Sequence, residues 1–122
     1  MRCFRNLTGT IMLCDEELVK FKIVEGGVTV VQKLSDNLPY EFKSKLSDEQ
    51  AVLYFLDDRV VPETRIGLQK ELEQAGIPYF DADKILMYNN GNTVTDKYWV
   101  KFQTGPQSYK EMRDKVFKKK SL

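Results

Sequence analysis

Over the first third of the chain, apolar positions recur with a period of two. Thr10 to Cys14 is a short apolar run, and Asp15-Glu16 follow as a turn. Leu18, Lys20, Lys22 and Val24 then alternate with Val19, Phe21 and Ile23, so the last three make one apolar strand face. Gly26-Gly27 is the hairpin signal, because two glycines supply the positive φ of a tight primed turn. On the return strand Val28, Val30 and Gln32 alternate with Thr29, Val31 and Lys33, with the β-branched enrichment of a pleated surface. Asp36-Asn37-Leu38-Pro39 closes this antiparallel meander with turn chemistry.

The period then lengthens to that of a helix. Ser47-Asp48-Glu49-Gln50 is a capping box, with the Ser47 hydroxyl accepting from the amide of Gln50 and the Gln50 side chain reaching back. Val52, Leu53, Phe55 and Leu56 give that helix its apolar face. Pro62 suits the first turn of a second helix, where Leu68, Leu72 and Ala75 share a face and Gly76 is the stop. Within it Gly67 costs about 1 kcal/mol relative to alanine, which a close backbone approach there explains. Asp81 or Asp83 caps a third short helix holding Ile85 and Leu86, ending near Asn89-Asn90-Gly91. Thr93 to Phe102 is too aromatic and β-branched for a helix and reads as an extended segment returning to the sheet. After Gly105-Pro106, a last helix starts at Ser108 with Tyr109, Met112, Val116 and Phe117 as apolar positions. The expectation is one α+β domain over 1–122, an antiparallel β-meander packed with three or four short helices.

Composition narrows the chemistry. The 122 residues are 42% hydrophobic and 30% charged, the balance of one ordinary folded domain. There is no histidine, so the usual base beside a nucleophile is missing, and Cys3 and Cys14 alone cannot make a zinc site. These cysteines suit the role of small buried hydrophobes, and a disulfide between them stays open. No glycine-rich phosphate loop is present, and the acid pairs Asp57-Asp58 and Asp81 with Asp83 suit helix caps better than a metal. No catalytic residue, metal or cofactor is therefore expected. Arg5, Asn6, Thr8 and Gly9 interrupt the N-terminal segment, and no apolar run nears the roughly 20 residues of a membrane span, so a cytoplasmic location is expected.

Net charge is only +1, but six of the eleven residues from Lys110 to Lys120 are basic. Such a terminal helix fits a solvated face whose lysines favour the helix dipole. The functional alternative is that Lys115, Lys118, Lys119 and Lys120 bind nucleic acid, against which stands the near-neutral charge of the whole chain.

Two stretches stand out. One is 58–68, where Arg59 and Arg65 flank Pro62; the other is 91–101, which contains Trp99, the only tryptophan. Arginine and tryptophan are enriched at binding hot spots, although Trp99 is equally suited to a core under the sheet. Arg59 and Arg65 are planar donors suited to gripping Asp96 bidentately, which would order the loop presenting Tyr98 and Trp99.

In this order the two stretches resemble the N-terminal part of HipA-like proteins. An R-x-x-P-x-x-R-x-G-hydrophobic segment is carried by Arg59, Pro62, Arg65, Gly67 and Leu68, and an S/T-x-x-D-x-Y-W segment by Thr93, Asp96, Tyr98 and Trp99. The likeness covers roughly residues 10 to 102, and its specific part is 58–102. HipA kinases continue into an ATP- and metal-binding core whose catalytic motifs are not in this sequence, so kinase activity is not carried over. The resemblance implies a stand-alone subdomain, similar in arrangement to the small subunit of tripartite HipBST toxin–antitoxin systems. Its expected role is as antitoxin or regulatory partner of a HipA-like serine/threonine kinase, with Arg59, Arg65, Asp96, Tyr98 and Trp99 as partner-binding residues. Nucleic acid is a further expected partner only indirectly, through another protein. The alternative is a nucleic-acid-binding accessory protein of a mobile element, acting through the basic terminal helix.

Overall fold

The computed structural model describes residues 4–60, 67–77, 80–93 and 96–120, with 117–120 described as backbone. Four antiparallel strands, β1 (Leu7–Leu13), β2 (Glu16–Val24), β3 (Gly27–Lys33) and β4 (Tyr98–Phe102), form one sheet in the order β3-β2-β1-β4. The first three make the expected meander, and the fourth returns by a long connection to lie beside the first, which is the Greek-key order.

The alternation of the strands carries two irregularities. Ile11 pairs with Val19 but Met12 with Glu17, leaving Leu18 as a bulged extra residue, so Leu18 and Val19 are both buried. Lys22 pairs with Val30 but Ile23 with Val28, which bulges β3 at Thr29. Val28 and Val31 are consequently half-buried while Val30 faces water, where unbroken alternation groups Val28 with Val30. The hairpin turn is also one residue earlier than expected. Val24 pairs with Gly27, and Glu25 (φ 49°) and Gly26 (φ 84°) both take the positive φ of a type I′ turn. Arg5 and Asn6, just ahead of β1, hold this turn through bonds from the amides of Gly26 and Glu25.

The helices end where local chemistry stops them. Helix α1 (Asp48–Asp57) carries the full Ser47–Gln50 capping box. Helix α2 (Leu68–Gln74) ends in a Schellman motif: Gly76 N–H donates to Glu73 O and Ile77 N–H to Leu72 O, with Ile77 and Leu72 both buried. Gly67 is not inside this helix. It precedes it at φ 81°, and a Cβ there meets nothing within 4 Å, so backbone conformation, not close approach, demands the glycine. Pro62 lies outside the described residues. Asp81 caps α3 (Ala82–Asn89), while Asp83 accepts from the amides of Arg5 and Asn6, so both acids are engaged by backbone N–H groups. Helix α4 runs over Tyr109–Lys120.

The elements form three layers. On one sheet face Leu7, Ile11, Phe21 and Val100 pack against Val52, Phe55 and Leu56 of α1, Leu72 of α2 and Leu86 of α3. On the other, Met12 and Trp99 pack against Met112 and Val116 of α4. Among the described residues no helix is long and apolar enough to cross a membrane.

Gly67→Ala is expected to lower stability by about 1–2 kcal/mol, the cost of a left-handed conformation with a Cβ, without loosening β4. Gly9→Ala acts differently, because the added Cβ meets the Lys101 carbonyl oxygen at 3.0 Å across the β1–β4 pair, and it should accelerate hydrogen exchange in β4.

At the start of β2, Glu16 accepts from the Ser35 hydroxyl and the Asn37 side-chain amide, tying the segment after β3 to the sheet. Those bonds, Ser35 first, hold the Glu16 carboxyl below its ordinary value of 4.5. The stabilisation is present above the ordinary glutamate range and is lost as pH falls through the lowered folded-state value. The lead of the wild type over Glu16→Gln in urea unfolding should therefore shrink on acidification.

Candidate functional site

Arg59 follows α1 by two residues and turns its side chain inward. Its guanidinium grips Asp96 bidentately, Nη1 to Oδ1 at 2.8 Å and Nη2 to Oδ2 at 2.6 Å. The same Nη1 donates to the carbonyls of Gly91 (3.2 Å) and Tyr98 (3.3 Å). Asp96 Oδ1 in turn accepts from the Tyr98 amide at 3.0 Å. The Arg59 side chain is 8% exposed and that of Asp96 32%, so this is an inward-facing pair with one watered edge. The guanidinium carbon lies 4.5 Å from the centre of the Phe55 ring and 5.6 Å from that of Tyr98, and the two rings meet edge to face at 5.9 Å. One side chain thus joins the end of α1 to the connection between α3 and β4.

A second knot lies one residue past α3. Asn90, at φ 53°, accepts from the Val100 amide through its carbonyl (2.7 Å) and donates from Nδ2 to the Val100 carbonyl (3.0 Å), occupying both backbone groups of that edge-strand residue. Its remaining side-chain oxygen accepts from Lys115 Nζ at 2.7 Å, and Lys115 also reaches the Met87 carbonyl at 3.2 Å. An ammonium at the last carbonyls of α3 sits where the helix dipole favours positive charge.

The third feature is Trp99, fully buried between the sheet and α4, with its indole N–H donating to the Cys14 carbonyl at 2.6 Å. Cys14 is half-buried in the β1–β2 turn at φ 53°, not inside a strand. Next to it, Asp15 accepts from the Tyr109 amide at 2.8 Å and so secures the first turn of α4.

Of the residues expected to meet a partner, Arg59, Asp96 and Tyr98 form one unit, while Trp99, next along the same strand, points into the opposite layer. Arg59 and Trp99 are both buried, each packed inside the domain. Arg65 lies outside the described residues. In the basic helix, Lys115 is drawn onto α3, and the side chains of Lys118, Lys119 and Lys120 lie outside the described residues. Sequence reasoning missed Asn90, for which the Asn-Gly pair after α3 signals a helix end but not the bond to β4. Comparison with family models, curated proteins and solved structures finds no match.

Arg59→Ala is expected to cost about 3–5 kcal/mol in urea unfolding, because Asp96 and two carbonyls lose a largely buried donor. Arg59→Lys restores charge but not the fork and should recover only part of that loss. Trp99→Ala should cost a similar 3–5 kcal/mol, as expected of a core cavity rather than an exposed anchor.

Proposed function

We propose that this protein is a non-catalytic binding module, an antitoxin or regulatory partner of a HipA-like serine/threonine kinase. One observation supports the reading above others. Arg59 from one of the stretches that carry the resemblance grips Asp96 from the other, at one end of the sheet. The Arg59 guanidinium faces inward, so its role in this reading is to set the shape of a surface, while exposed residues make the contact. The basic-helix alternative is weakened at Lys115, whose ammonium is engaged by Asn90 and the end of α3.

Co-expression with a HipA-like kinase lacking its own N-terminal subdomain, encoded beside this chain, is expected to yield a complex that co-elutes in size exclusion and slows kinase autophosphorylation. Absence of any complex, together with tight binding of duplex DNA at physiological salt, would transfer the function to α4.

A further inference from the structure

The second sheet face is only partly covered. Helix α4 occupies the end bearing Met12 and Trp99. Pairing across the strands places Gln32, Lys20, Thr10 and Lys101 in one row and Val30, Lys22 and Thr8 in the next. Directly opposed residues point to the same side of a sheet, so these rows share the face of Met12. Thr10 is buried and Lys101 half-buried, while Gln32, Lys20, Val30, Lys22 and Thr8 are exposed. Lys20 and Lys22 are exposed, and among the described residues neither side chain has an ion pair or hydrogen bond. Lys101 is paired to Glu17 at 3.2 Å, and among the described residues Glu17 is the only carboxylate that the pairing brings onto this face. Beside the lysines stand Val24, 39% exposed, and Val30, 47% exposed.

We infer that this open strip is a docking surface for an acidic segment of a protein partner, with carboxylates meeting Lys20 and Lys22 and apolar side chains meeting Val24 and Val30. The inference rests on the binding-module reading and names the surface that reading needs. Charge selects the partner: two unpaired ammonium groups on a face with one already neutralised carboxylate favour an acidic ligand. The interspersed valines select a polypeptide over a nucleic acid. No aromatic ring stands in either row to stack a base, and stacking platforms are what single-strand binders add to their lysines.

The test is an amide-resolved NMR titration of the whole chain with a synthetic peptide of alternating glutamate and valine, and in parallel with single-stranded oligothymidylate. The peptide is expected to shift the amides of Lys20, Lys22, Val30 and Gln32, to lose affinity as salt rises, and to bind Lys20→Glu/Lys22→Glu about tenfold more weakly. Both substitutions are on exposed positions, and an unchanged spectrum for the β4 amides checks that the fold survives. Shifts confined to α4, no shifts at all, or tighter binding of the oligonucleotide would overturn the inference. The kinase complex separates the two levels: if it forms equally well with the double variant, the surface is wrong and the binding-module reading stands. If the wild type forms no complex, that reading fails, and the peptide titration still judges the surface.

Discussion

A guanidinium withdrawn from water must find oxygen acceptors in a fixed plane, and in this domain those acceptors come from parts of the chain far apart in sequence. Arg59 draws them from Gly91, Asp96 and Tyr98. An incompletely satisfied buried cation is more costly than an apolar residue in its place, so the arrangement is all-or-none. The grip holds the start of β4 against the end of α1, and β4 pairs with the edge of β1. The aromatic rings of Phe55 and Tyr98 line the guanidinium and exclude water from its faces.

From that placement the two faces of the sheet follow. In β4 Val100 points towards α1–α3 and Trp99 towards α4, so a five-residue strand anchors both cores. Asn90 then finishes the edge. By answering the amide and carbonyl of Val100 it acts as a one-residue strand, and by accepting from Lys115 it couples that edge to α4. Asn90 and Lys115 thus connect layers whose apolar contacts are otherwise separate, while Arg59 ties the end of α1 to the start of β4. Hydrogen bonds supply the registration, and burial supplies the bulk of the stabilisation.

Much of this was legible in the sequence. The capping box at Ser47, the stop at Gly76, the apolar face of Val19, Phe21 and Ile23, and the returning strand after Thr93 are all signalled by residues within a few positions of one another. So was the bidentate match between an arginine and Asp96, because planar fork and carboxylate are complementary whatever the fold. Bulges were not legible: the extra residues at Leu18 and Thr29 arise from twist and partner register, which periodicity within one strand does not encode. The same blindness misplaced the hairpin turn by one residue and set Gly67 inside a helix. Asn90 and the burial of Trp99 depend on contacts between distant segments, and a residue type enriched at interfaces is enriched for the same reasons in cores.

The bulge at Thr29 has one further effect. Strand β3 is the outer edge of the sheet, seven residues long, and such an edge invites another copy of the chain to pair with it. The extra residue breaks the even spacing of its outward amides and carbonyls, and Lys33 leans inward to Asp48 at the far end. A straight intruding strand finds no continuous ladder to extend. The bulge thus blunts an edge that would otherwise template pairing with a second copy.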